Sequence, residues 1–237
     1  MATDNSDPSN VSGPEKINRG ERGPLRANQK ANQKTVWLWL GANVLGFAIA
    51  TPLSFLMNVS AQYFEALYIA GLIVGAVVGP LQALVMQRLL PRLKIWQWVI
   101  ANIFGSYLGS WVGLLVFGLI VMLLQFFNNL PDPGDVVTLV LTIAIYSAVI
   151  GMCVSIAQLY SLPSQVQNAR QWWIANFLGR ILGWVSASLV GWFVFAITGT
   201  ENFLVVWGAL LGAVGGAVYA GVTTKALLNL QPNAVKT

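Results

Sequence analysis

Between Val36 and Leu228 the chain is a series of long apolar runs separated by short polar breaks. A helix rises 1.5 Å per residue, so about 20 consecutive apolar residues cross roughly 30 Å of hydrocarbon. Six runs reach that length: Val36–Met57, Ala66–Leu90, Trp96–Phe127, Val136–Tyr160, Trp172–Ile197 and Asn202–Leu228. None alternates in polarity, as a membrane β-strand would. The pattern predicts an all-α membrane protein of six transmembrane helices. Pro52 and Pro80 lie inside runs, which membrane helices tolerate because neighbouring groups re-satisfy the freed backbone. Residues 1–34 differ in kind. They are rich in Asn, Ser, Gly, Pro and charge, so a disordered tail is expected there. Without the apolar run and cleavage site of a signal peptide, the tail is expected to stay attached. Residues 35–228 then form the transmembrane domain, and 229–237 a short second tail.

The runs are related to one another. Gln97-Trp98-Val99-Ile100-Ala101-Asn102 opens span three, and Gln171-Trp172-Trp173-Ile174-Ala175-Asn176 opens span five. At the same offset Gly105 matches Gly179, Leu108 matches Leu182 and Gly109 matches Gly183. Span one carries Trp39, Ala42, Asn43 and Gly46 at the same spacing, a W-x-x-A-N-x-x-G pattern present three times. Among the even spans, Gly71, Gly75-Ala76-Val77 and Gly79 align with Gly208, Gly212-Ala213-Val214 and Gly216, while span four keeps Gly151 and Gln158 opposite Gly75 and Gln82. The unit read from this pattern is a two-helix hairpin used three times. Two spans per unit insert every copy the same way, a parallel repeat, and three parallel hairpins predict a tightly packed pseudo-threefold bundle. The mitochondrial carriers are similar in helix count. Their signature of proline, an acidic and then a basic residue at the odd-span ends is missing here.

Charge adds orientation. The first tail carries Lys16, Arg19, Arg22, Arg26, Lys30 and Lys34; the later breaks on that side carry Arg88, Arg92, Lys94, Arg170, Lys225 and Lys236. The alternate breaks hold only Glu65, Asp132, Asp135 and Glu201. By the positive-inside rule the basic side is cytoplasmic, with both termini inside, as for a multi-pass protein of a bacterial inner membrane or its equivalent.

Composition narrows the chemistry. The chain of 237 residues is 56% hydrophobic and 9% charged, with no His and a single Cys. Soluble domains carry about 25% charge. A His-based hydrolase, a Cys/His metal site and a disulfide framework are all excluded. No cofactor is expected. The spans lack the Asp, Glu or His that ion-coupled transporters commonly place in the membrane, and an enzyme is the least favoured class. The tail is too mildly basic for nucleic acid.

Gly75, Gln82, Arg88 and Pro91, followed by Trp98-Val99-Ile100-Ala101-Asn102 and Gly105, carry a resemblance across the membrane portion. The chain resembles uncharacterised bacterial polytopic membrane proteins, cyanobacterial ones in particular. The resemblance implies a small multi-pass membrane protein and brings no function with it.

Several residues are candidates for more than filling lipid. The four-residue stripes Gly71, Gly75 and Gly79; Gly105, Gly109 and Gly113; Gly179 and Gly183; and Gly208, Gly212 and Gly216 each line one helix face. They predict close helix packing, the other reading being backbone exposed along a solute path. Asn43, Asn102 and Asn176 lie about one turn deeper than Trp39, Trp98 and Trp172. They form a candidate polar ring with Gln82 and Gln158, either as interhelical glue or as a solute site. Tyr219 stands where span six would supply the third Gln, which leaves the second ring incomplete. The paired Trp37/Trp39, Trp96/Trp98 and Trp172/Trp173 are expected in the interfacial aromatic belt, with a binding cage as the alternative. Arg180 is the one charge clearly inside a span, since Arg88 and Lys225 lie close to span ends. It is expected either to snorkel to the interface or to meet an anion or lipid headgroup.

Two functions fit. One is a non-catalytic assembly or interaction module whose partners are the lipid bilayer, other membrane proteins or a second copy of itself. The other is a small permease or channel with a solute path along the pseudo-threefold axis. They differ in whether the polar residues converge on a water-accessible cavity.

Overall fold

A computed structural model describes residues 22–58, 63–126, 136–164, 166–198 and 204–232. The described chain is helical almost throughout: α1 Arg22–Asn58, α2 Tyr63–Leu89, α3 Ile95–Phe126, α4 Val136–Ser161, α5 Ala169–Thr198 and α6 Leu204–Leu228. All six are long and apolar enough to cross a membrane, which is consistent with a polytopic membrane protein. The acidic breaks around Asp132, Asp135 and Glu201, most of the first tail and the last five residues lie outside the described residues.

The chain divides into two units, Met1–Lys34 and Thr35–Thr237. Within the first, α1 already begins at Arg22, so the expected disordered tail is corrected to helix from there onward. The tandem Ala27-Asn28-Gln29-Lys30 and Ala31-Asn32-Gln33-Lys34 explain the difference. Ala, Gln and Lys are good helix formers, and a helix already nucleated by a membrane span extends at little cost.

In the second unit each helix packs on the next in chain order, α2 on α3, α3 on α4, α4 on α5 and α5 on α6. Glycines close the circle. Gly208, Gly212 and Gly216 of α6 lie against Pro52, Phe47 and Asn43 of α1, and Gly46 of α1 lies against Val78 of α2. The six helices thus form a ring. Its seams share one direction: Gly71, Gly75 and Gly79 face α3; Gly105, Gly109 and Gly113 face α4; Gly151 faces α5; Gly179 and Gly183 face α6. Apart from Gly215 of α6, which faces Gly183 of α5, the closely packed glycines of each helix turn toward its successor. A methyl group added at Gly75 would lie 2.6 Å from the Asn102 carbonyl oxygen, and one at Gly109 2.7 Å from Ile150 Cα. Such proximity gives backbone-to-backbone dispersion contact, the main attraction between helices in lipid.

The third hairpin departs from the alignment read in the sequence. Gly75 meets Asn102 and Ile103, but on α1 it is Gly216, not Gly212, that meets Asn43 and Val44. Packing on the following helix is shifted by one turn. A stripe of glycines every four residues looks the same after a one-turn shift, so sequence matching could not fix that register.

Large apolar side chains face outward. On α3 the exposed stripe is Ile100, Phe104, Leu108, Trp111 and Leu115, while Trp98, Asn102, Ser106 and Ser110 are buried inside. At the end where the basic loops lie, Leu90-Pro91 follows α2 and Leu162-Pro163 follows α4; proline stops each helix from continuing. The short strands β1 Val166–Gln167 and β2 Gln231–Pro232 pair antiparallel and tie the α4–α5 connection to the chain beyond α6.

Candidate functional site

The interior is built in layers along the odd helices. Trp39, Trp98 and Trp172 are all 0% exposed. Trp172 meets both of the others, with ring centroids 5.6 Å from Trp39 and 5.9 Å from Trp98. These three belong to the bundle axis, not to the aromatic belt in which they were expected. The belt description suits Trp37 and Trp96, which are largely exposed; Trp173 is half-buried and stacks on Phe177. The signal for burial was present in the spacing. A Trp four residues before an inward Asn shares its helix face. Leu90, Leu93, Leu162, Leu227 and Leu230 join the three indoles in one apolar cluster across that end of the ring.

One turn further in, Asn43, Gln82, Asn102, Gln158 and Asn176 are each fully buried. They come from five consecutive helices and bond to one another directly. Gln82 Nε2 donates to Asn43 Oδ1 at 2.7 Å, and Gln158 Nε2 donates to Asn102 Oδ1 at 2.9 Å and to Gln82 Oε1 at 3.3 Å. Asn176 Nδ2 donates to Gln158 Oε1 at 2.8 Å and to Ser155 Oγ at 3.0 Å. The remaining amide donors turn back one turn, Asn43 to the Trp39 carbonyl and Asn102 to the Trp98 carbonyl. Every amide oxygen and nitrogen of the five therefore has a partner. In hydrocarbon, where water offers no alternative, that is the arrangement burial demands.

Helix α6 completes the circle with a residue of another type. The Tyr219 hydroxyl donates to Asn176 Oδ1. In each hairpin the Asn of the first helix accepts from a side chain of the second: Gln82, Gln158, then Tyr219. Tyr219 manages this because it is longer than Gln. Its ring lies between Trp39 and Phe47, with centroids 6.2 and 5.9 Å away. Sequence matching placed Tyr219 opposite Gln82 but gave no sign that the phenol would take the amide's part. The indole of Trp39 donates to Thr223 Oγ1 at 2.8 Å, a bond no motif announced.

No family model, curated protein or solved structure matches the chain.

Beyond the amide layer lie Phe47, Ser106 and Arg180, all buried. Arg180 is 2% exposed, which overturns the expected snorkelling to the interface. Its position explains why. The residue is one turn past Asn176 on the same inward face, and the Trp layer stands between it and the basic end. Arg180 Nη2 reaches Asn102 Oδ1 at 3.5 Å, and the guanidinium lies 5.6 Å from the centre of the Tyr219 ring. Arg180 Nε and Nη1 have no hydrogen-bond partner among the described residues. Burial this deep also keeps Arg180 from any lipid headgroup at the surface. Beside it is a cavity of about 10 Å³, lined by Phe47, Trp184, Leu211 and Tyr219 and by glycines of α5 and α6. That is room for about one water.

Proposed function

We propose that this chain is a non-catalytic, non-conducting membrane module that acts through its outer apolar faces, on lipid, on other membrane proteins or on a second copy of itself. The observation that carries the reading is the closure of the polar layer. The amides bond to one another across the axis, and the Trp and Leu cluster covers them from one end. A permeation path needs polar groups free to exchange partners with a passing solute, and these are spent on each other. The permease reading loses its main support.

The same contacts favour three parallel copies of one hairpin arranged about a pseudo-threefold axis. The Asn-centred bond recurs once per hairpin, and glycine seams follow one direction round the ring. Segregation of the basic residues favours both termini on the cytoplasmic side. Reconstituted vesicles test the function. Water, glycerol, sodium and chloride fluxes should equal those of protein-free vesicles. A photo-crosslinking side chain at Phe104 or Leu115 should give one discrete lipid or protein adduct in native membranes. Solute flux above the protein-free level, or only diffuse crosslinking to bulk lipid, would count against the module.

A further inference from the structure

The turn between α2 and α3 is pinned on its inner side and charged on its outer side. Leu90 and Leu93 are both 2% exposed, and the Leu93 amide donates to the Leu90 carbonyl at 2.8 Å. With these two anchored in the apolar cluster, Arg88, Arg92 and Lys94 are all exposed within seven residues of chain. No acidic residue occurs between Ala66 and Phe127 to offset them. Just beyond, Trp96, Ile100, Phe104 and Leu108 of α3 are exposed at four-residue spacing. They run along one helix face, away from the charged turn. The positive-inside rule asks for basic residues on this side of the membrane, not for three of them in one turn. The α4–α5 turn shows the difference. It is built alike, with Leu162 buried before Pro163 and with Ile174, Leu178 and Leu182 exposed along α5, yet it carries only Arg170.

We propose that the α2–α3 turn and the adjoining face of α3 bind an anionic phospholipid in preference to a zwitterionic one. The cations take the headgroup phosphate, and the apolar track from Ile100 to Leu108 takes an acyl chain. Trp96 lies between the two, at the depth where headgroup meets chain and indoles are most favourable. Each basic residue near the surface favours anionic lipid by about fivefold, less as salt screens it. The site rests on the module reading, since it names the lipid class that one outer face takes up. The two fail separately: solute flux would end the module without touching lipid preference, and lipid indifference would end this site without implying flux.

A photo-crosslinking side chain at Ile100 tests this in the purified full chain, reconstituted into vesicles of equal phosphatidylglycerol and phosphatidylcholine. Both leaflets carry the same lipids, so orientation in the vesicle does not enter. Mass spectrometry of the adducts reads the ratio of the two lipids. Phosphatidylglycerol adducts should exceed phosphatidylcholine adducts by about fivefold or more at low salt, and approach parity at about 1 M salt. The same probe at Ile174, beside the single Arg170, should give a markedly smaller excess. Arg92→Gln combined with Lys94→Gln should bring Ile100 down to the Ile174 ratio, whereas Arg170→Gln should leave Ile100 unchanged. Parity at Ile100 or an equal excess at Ile100 and Ile174 would overturn the site, even if the double variant does not fold. An excess that survives the double substitution would overturn it as well. Adducts between two copies of the chain in place of lipid would assign the face to self-association and also overturn it.

Discussion

At the scale of the residue, the amide layer is strong because nothing in it is left over. A single hydrogen bond between membrane helices contributes only about 0.6–2 kcal/mol. Removing one member costs more, because a buried group stripped of its partner forfeits about 1–3 kcal/mol. Asn176→Leu strands the Tyr219 hydroxyl, Ser155 and the Gln158 carbonyl oxygen together. Tyr219→Phe removes only the donor to Asn176 Oδ1. Thermal melts in detergent should therefore place Asn176→Leu well below Tyr219→Phe, and Tyr219→Phe slightly below the parent. Equal melting of the two would mean that the network is not the unit of stability. The inward aim of the three Asn was legible from their chemistry and shared spacing. Their partners were not, because spacing along one helix says which face a residue is on and nothing about which neighbour faces it.

At the scale of the element, the glycines separate into two kinds. Gly75 and Gly216 lie where a methyl group would strike the backbone of α3 or α1, whereas Gly41, Gly118 and Gly221 have open space within 4 Å. Gly75→Ala and Gly216→Ala should lower stability by about 1–3 kcal/mol through overpacking. Gly41→Ala and Gly221→Ala should be neutral or raise it by about 0.5–1 kcal/mol, because alanine restricts the unfolded chain and favours helix. Unfolding of the four variants, followed by circular dichroism, checks the split. A uniform response would show that the glycine seams do not hold the helices together. Sequence alone identified the packing stripes by their period of four. It could not distinguish Gly212 from Gly216 as the partner of Asn43, because that period is blind to a one-turn slide.

At the scale of the whole molecule, orientation rests on charge and the ring on packing, and each has its own check. In a Cys153→Ser background, cysteines introduced at Pro133 and Thr200 should react with an impermeant thiol reagent applied from outside the cell. Those at Gln29 and Ser164 should react only after the membrane is opened. Labelling of both sets from one side would end the arrangement with both termini inside. For the ring, Phe55 on α1 lies beside Gly208 on α6. A cysteine pair at Phe55 and Gly208 should therefore crosslink with a short bifunctional reagent within a single chain, joining the first and last spans. Failure to crosslink in native membranes would open the ring between α6 and α1.

The number of spans, their lengths, the segregation of the basic residues and the inward face of each Asn followed from the sequence. All of these depend on distance along one chain: apolar length against bilayer thickness, and spacing against the helical period. Closure of α6 onto α1, the substitution of Tyr219 for a third Gln, the burial of Trp39, Trp98 and Trp172 together and the sealing of Arg180 away from the interface were decided only in three dimensions. Each depends on what a neighbouring helix presents at the same depth. In a chain whose helices are apolar on nearly every face, hydrophobicity no longer distinguishes inside from outside. Rotation and register are then set by the fit of small residues against backbone and by the pairing of a few polar groups that lipid will not take.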